Sequence, residues 1–271
     1  MAGETESVLG ALFLGVTQGL TEFLPVSSSG HLVLFEQAFG LVSGEDEILF
    51  YLVLHVGTLI PVLYFYRDWV FKLLRDPFVG EAPFREREGV QWIGYLLLAS
   101  VPTAIIGLAF EDLFETLFST PATLAVTFTI TALLLLATSR FDRSHLANPL
   151  SAGIVLTLGI AQGIAITPGI SRSGTTIAVA LLLGLDRETA ARFSFLMSVP
   201  AITGALLLKL RDAEVGAIDP TQLVVGGSAA LVTGYLALVL LVQVVRAGRM
   251  AYFAAYLFAV AGFALYLAVA G

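Results

Sequence analysis

The chain contains no cysteine, which excludes disulfides, thiolate nucleophiles and cysteine-based metal sites. Charge is also scarce. Only 13% of the 271 residues are Asp, Glu, Lys or Arg, against about 25% in soluble domains. There are three histidines in all. The first positive residue is Arg67, so the basic start of a cleaved signal peptide is missing and none is expected. A net charge of −7 without any basic tract gives no support to nucleic-acid binding. No low-complexity linker divides the sequence, and a single domain over 1–271 fits the length.

What is present is apolar. Hydrophobic residues make up 57% of the chain, and the mean hydropathy is +0.89. The apolar runs are continuous and rich in Leu, Ala, Val and Gly, unlike the short alternating segments of a membrane β-barrel. They predict an all-α polytopic membrane protein. Spans are expected at about 48–66, 91–110, 119–139, 193–210, 221–245 and 250–270, with a long polar loop at 67–90. Trp69, Trp92, Tyr64 and Tyr66 fall near predicted interfaces, where an aromatic belt is the ordinary expectation.

Two further apolar stretches, 7–42 and 149–185, are broken by proline, glycine and serine. The breaks lie at Pro25 with Ser27–Gly30, and at Pro168-Gly169 with Ser171–Gly174. Each half is too short to span a hydrocarbon core about 30 Å thick comfortably. Two re-entrant helical hairpins are therefore expected. Irregular backbone at membrane depth persists only where protein or a wet cavity surrounds it.

Shifting the sequence by 144 residues aligns the two breaks. Gly15, Gln18, Gly19, Ser27, Ser29 and Gly30 fall on Gly159, Gln162, Gly163, Ser171, Ser173 and Gly174. Each break is followed by one more hairpin half and three spans, which predicts repeats at about 7–139 and 149–270. Placing 67–90 in the cytoplasm puts 11 of the 14 Lys and Arg there, in keeping with the positive-inside rule. Lys209 and Arg211 then lie outside, with the acidic clusters 45–47 and 111–115. The first hairpin would enter from outside and the second from the cytoplasm. That is an inverted repeat, with both polar tips near the midplane.

The tips carry chemistry. Ser171-Arg172-Ser173-Gly174 precedes a helix-like run, so free amides, hydroxyls and a guanidinium fork make an anion site there. At the first tip Gln18 and Glu22 share a helix face. Glu22 could serve as a general base, as one ligand of a hard divalent cation, or as the counter-charge of Arg172. His31 could present its imidazole to a hydroxyl or a leaving oxygen. For His55 and His145 the bland reading is preferred, and Glu36 is left unassigned. One carboxylate, one imidazole, one arginine and several hydroxyls in a membrane cavity suit phosphoryl transfer on a lipid. A transporter or flippase of a lipid phosphate is the competing class, because it needs the same anion site and shows the same broken helices.

At Gln18-Gly19-Leu20-Thr21-Glu22-Phe23-Leu24-Pro25-Val26-Ser27-Ser28-Ser29-Gly30-His31 and at Pro168-Gly169-Ile170-Ser171-Arg172-Ser173-Gly174-Thr175-Thr176 the sequence resembles the undecaprenyl-pyrophosphate phosphatase family of the bacitracin-resistance type. The resemblance covers the whole chain and implies hydrolysis of a polyprenyl diphosphate to the monophosphate and inorganic phosphate, recycling a glycan lipid carrier. It implies a multi-pass plasma-membrane protein with inverted repeats, its site opening to the outer face, and dependence on a divalent cation, Mg2+ or Ca2+, held by Glu22. By resemblance Glu22, His31 and Arg172 are essential, with Ser27 and Ser28 also catalytic. Gln18, Ser29, Gly30, Ser171, Ser173, Gly174 and Thr176 are expected to contact substrate. Many members carry glutamate where this chain has Gln18. Glutamine is no base and a weaker metal ligand, so the burden moves to Glu22. The nucleophile stays open among Ser27, Ser28, His31 and an activated water. The expected partners are the lipid substrate and membrane lipids, and a homo-oligomer is compatible with the sequence.

Overall fold

A computed structural model of the protein describes residues 2–39, 47–117, 120–212 and 219–270. Glu45 and Asp46, and the side chains of Glu36, Glu47, Glu115, Lys209 and Arg211, lie outside the described residues. Helices follow one another as α1 (Ala2–Phe23), α2 (Ser28–Phe39), α3 (Glu47–Phe65), α4 (Arg67–Arg75), α5 (Glu88–Ala109), α6 (Glu111–Leu117), α7 (Pro121–Phe141), α8 (Ala152–Ile164), α9 (Arg172–Leu182), α10 (Arg187–Asp212), α11 (Pro220–Arg246) and α12 (Tyr252–Ala270). No strand occurs among the described residues.

Among the described residues five helices are long and apolar enough to cross a membrane, and α3 makes a sixth when joined to α4. The apolar stretch 7–23 of α1, and α8, are shorter. At 1.5 Å per residue, the 11 residues of α9 reach roughly half-way across a hydrocarbon core. Its side chains are nearly all buried, from Ser173 to Leu181, so α9 ends inside protein. Its chain leaves through Gly184, whose φ is +86°, the left-handed conformation that glycine adopts without steric cost at a helix end.

After α1 and α2 come α3, α5 and α7, with the shorter α4 and α6 between them, and after α8 and α9 come α10, α11 and α12. Packing is reciprocal. α1 lies against α11 and α8 against α5, while α7 pairs with α12. Glycine explains the first two contacts. A Cβ on Gly15 would sit 2.3 Å from the Gly226 carbonyl oxygen, and one on Gly159 would sit 2.2 Å from that of Ala99. Such close backbone approach replaces the hydrophobic drive that helices lack inside lipid.

Two sequence expectations need correction. The 67–90 stretch is more than a polar loop. α4 turns 79° away from α3, burying Leu73 while Phe71 and Leu74 stay exposed. The aromatic belt is also incomplete. Tyr64 is exposed, but Trp92 and Tyr66 are buried, packing on Phe193 and Phe195 of α10.

The start of α10 is tied to the end of α7. Asp142 accepts hydrogen bonds from the Ser144 amide at 2.7 Å and from Arg187 Nη2 at 3.0 Å. Burial pushes the Asp142 carboxyl up, but the Ser144 and Arg187 interactions outweigh it and hold the group below the usual range. A carboxylate so depressed stabilises the fold above its unfolded pKa and loses that contribution as pH falls through the folded one. Asp142→Asn is therefore expected to lower the Tm in detergent at neutral pH. The difference from wild type should shrink below about pH 4, and a difference that grows on acidification would contradict the linkage.

Candidate active site

The two chain breaks meet. A Cβ on Gly30 would lie 2.8 Å from Gly169 Cα, and one on Gly174 would lie 3.0 Å from Pro25 Cβ. Ser173 donates to the Leu24 carbonyl at 3.3 Å. Arg172 Nη2 donates to Glu22 Oε1 at 2.5 Å across 150 residues of sequence.

The tips share one local design. Ser27 Oγ accepts from the Gly30 amide at 3.3 Å, and Ser171 Oγ accepts from the Gly174 amide at 3.1 Å. Each serine thus caps the helix that follows it. Ser27 Oγ also lies 3.4 Å from Ser29 Oγ, and Ser171 Oγ lies 3.3 Å from Ser173 Oγ. The tips differ in backbone strain. Ser27 has φ +70°, uncommon for a residue with a Cβ and a mark of a conformation held by its surroundings.

Between the tips is a cavity of about 40 Å³, room for about three waters or one phosphoryl group in their place. Glu22, Ser27, Ser28, Ser29, Ser171 and Arg172 line it, with Ala165 and Ile170 as an apolar wall. Ser28 Oγ donates to Glu22 Oε2 at 2.6 Å, and Gln18 Nε2 donates to the same oxygen at 3.1 Å. Both carboxylate oxygens are thereby engaged. Gln18 Oε1 and Arg172 Nη1 are among the buried polar atoms of the described residues that have no hydrogen-bond partner. Leaving a guanidinium N–H unpaired in a buried site is costly, and an anionic oxygen in the cavity would satisfy it. A roomier groove of about 390 Å³ between α3 and α11 is lined by Ile60, Tyr64, Val232 and Tyr235 among others and offers little chemistry.

The donor set suits a hard cation in part. Glu22 and the serine hydroxyls are oxygen ligands, and phosphate oxygens would complete the shell; Gln18, expected to contact substrate, is fully buried and does not line the cavity. Among the described residues no group of three His, Asp or Glu forms a metal site on its own. The fit is therefore to a cation shared with a bound phosphate.

The other expected site residues are placed differently. Thr176 Oγ1 bonds the Arg172 carbonyl at 2.8 Å and Ser194 at 2.5 Å, facing α10. Ser173, Gly30 and Gly174 join the tips to each other. His31 does not line the cavity. Its Nδ1 lies 2.7 Å from the Ser27 carbonyl and its Nε2 lies 2.7 Å from the Tyr256 hydroxyl. His55 spends Nδ1 on the Tyr51 carbonyl, within its own helix.

α7 supplies supports that sequence reasoning missed. Thr131 Oγ1 accepts from the Ser171 amide and donates to the Gly169 carbonyl, both at 3.1 Å. Phe128 packs edge-on against His31 at 5.2 Å. One helix thus braces both tips.

A paired carboxylate and hydroxyl facing a buried, half-satisfied guanidinium in a membrane bundle define a site for an anionic, phosphate-like group. The family model described as "Bacitracin resistance protein BacA" matches residues 11–263, and the chain belongs to that family. A relative in Carboxydothermus hydrogenoformans, named undecaprenyl-diphosphatase, is 42% identical over 268 residues, covering 96% of this chain and 97% of its own. Relatives with the same name in Desulfatibacillum aliphaticivorans and Methanobrevibacter smithii are 43% and 35% identical. They cover 92% of this chain each, and 94% and 93% of their own.

Proposed function

We propose that the protein is an integral membrane phosphatase that hydrolyses undecaprenyl diphosphate to the monophosphate and inorganic phosphate, returning a glycan lipid carrier to use. The observation that carries this reading is the Ser28–Glu22 hydrogen bond at 2.6 Å in the same cavity as the unpaired Arg172 Nη1. A hydroxyl aimed at a carboxylate is a nucleophile beside its base. The arginine fork and the first amides of α9 hold the distal phosphoryl oxygens. Ser27, Ser29 and Ser171 border the same space.

Glu22 takes the Ser28 proton as Ser28 Oγ bonds to the distal phosphorus. The bond from that phosphorus to the bridging oxygen breaks, and the lipid monophosphate leaves with the proton. Glu22, a carboxylate again, deprotonates a water that attacks the phosphoserine; the bond from phosphorus to Ser28 Oγ breaks, Glu22 returns the proton to that oxygen, and inorganic phosphate is released. Arg172 stabilises charge on the equatorial oxygens in both steps. Glu22 would hold a Mg2+ or Ca2+ together with the phosphate oxygens, and the cation would neutralise phosphoryl charge when bound.

The halves 7–139 and 149–270 are read as inverted repeats of one membrane domain, with the Arg- and Lys-rich ends of the helices in the cytoplasm. On that reading the protein lies in the plasma membrane with its site open to the outer face. A lipid-phosphate carrier would use the same arginine, but the Ser28–Glu22 pair would have no task.

The test is phosphate release from undecaprenyl diphosphate in detergent, with Mg2+ or Ca2+ and then with a chelator. Wild type is expected to release phosphate and to yield phosphoserine at position 28 in acid-quenched peptides. Ser28→Ala should lose at least about a thousandfold in kcat. Bound but intact diphosphate with folded wild type would favour the carrier. Release that survives Ser28→Ala would move the attack to water.

A further inference from the structure

We propose that Tyr256 is a positioning residue for this reaction: its hydroxyl donates to His31 Nε2 and holds the ring in place, and His31 in turn holds the Ser27 peptide in the conformation that aims Ser28 at Glu22. The inference rests on the phosphatase reading above.

His31 is 1% exposed at the start of α2. A backbone carbonyl only accepts hydrogen bonds, so the 2.7 Å contact with the Ser27 oxygen requires the proton on Nδ1. In neutral imidazole that leaves Nε2 as a lone pair. The Tyr256 hydroxyl, 2.7 Å away, is then the donor. The neutral ring suits its setting. Phe35 and Phe128 pack against its edges, and the Tyr256 ring is stacked on it, 3° from parallel with centroids 5.7 Å apart.

The other end of this chain of hydrogen bonds is the strained residue. Ser27 sits at φ +70°, and its carbonyl accepts both from the His31 amide at 3.3 Å, as the first bond of α2, and from the His31 ring. The next residue is Ser28, whose hydroxyl reaches Glu22. In the opposite tautomer, Nδ1 would turn a lone pair toward the Ser27 carbonyl. The two acceptors would repel, so the carbonyl itself excludes that tautomer. Tyr256 holds the ring where Nδ1 meets the carbonyl. It comes from α12, which supplies none of the residues lining the cavity, and it is bound across 225 residues of sequence.

The experiment uses full-length protein in detergent with 15N-labelled histidine. His55→Gln and His145→Gln assign the three histidines. Wild type is expected to show His31 protonated on Nδ1 and hydrogen-bonded at a bare Nε2. Tyr256→Phe keeps the stacked ring and removes only the donor. It should show His31 still protonated on Nδ1, an Nε2 signal shifted to that of a lone pair without a hydrogen bond, and a kcat lower by about 10- to 100-fold at unchanged KM. A wild-type His31 protonated on Nε2 would overturn the proposal, and this reading needs no variant to fold. So would a Tyr256→Phe protein with unchanged kcat, or one with reduced kcat and the wild-type Nε2 signal. If wild type released no phosphate but Tyr256→Phe still shifted the Nε2 signal, the phosphatase reading would fail while the contact itself stood.

Discussion

Glu22→Gln and Arg172→Gln are each expected to abolish phosphate release and to destabilise the protein, whereas the double variant should recover stability and remain inactive. The side chains are 8% and 16% exposed and meet at 2.5 Å. Removing either partner strands a charge in a buried site, at about 3–5 kcal/mol. Removing both leaves two amides that can bond one another, and the stranded charge is gone. Activity follows another rule. Arg172 supplies the donor for phosphoryl oxygens, worth at least about a hundredfold, and Glu22 is the base for Ser28. Tm in detergent and phosphate release, measured on all four proteins, separate the two roles. A double variant as unstable as the singles would show that the pair is not the main partner of either charge. A double variant that releases phosphate would remove both residues from the mechanism.

Gly30→Val is the second large effect. A Cβ at this position meets Phe128 Cζ at 2.7 Å and the Gly169 backbone at 2.8 Å. Phenylalanine can shift, but the Gly169 main chain is pinned by Thr131. Overpacking of this kind costs about 1–3 kcal/mol, and it acts as a wedge between the tips. Phosphate release should fall by more than the stability change explains, because Glu22 and Arg172 are carried on opposite sides of the wedge. Gly94→Ala in α5 is the matched control. Nothing lies within 4 Å of a Cβ there, and alanine in a helix interior is favoured over glycine by roughly 0.5–1 kcal/mol. A Gly30→Val protein with wild-type turnover would show that the tips need not touch.

The two tips were legible in the sequence because polar residues inside apolar runs are costly, and their cost marks them. Glu22, the serines and Arg172 stand out for that reason, and the structure brings them to one cavity. The long helices were legible from length and hydropathy. What the sequence hid was hidden by chemistry that blends in. Thr131 and Phe128 sit in a run of threonines and apolar residues typical of any span. Tyr256 is one aromatic among several in α12. Their importance lies in what they face, and no periodicity reports that. The direction of His31 was hidden too. Its imidazole is expected from the sequence to meet a hydroxyl or a leaving oxygen, but the ring returns to the Ser27 main chain. α4 was lost because its charges gave the whole segment the look of a loop.

Ser28 and Arg172 each stand directly after a serine that caps a helix. One corner of the cavity thus carries a hydroxyl and the facing corner a guanidinium, which gives the pocket a sense of direction. On the proposed mechanism the attacking atom comes from the α1–α2 side, and the charge that steadies the phosphoryl group comes from the α8–α9 side. A diphosphate bound in that way would have one productive pose, with its terminal phosphorus between the corners and its bridging oxygen turned away from Ser28.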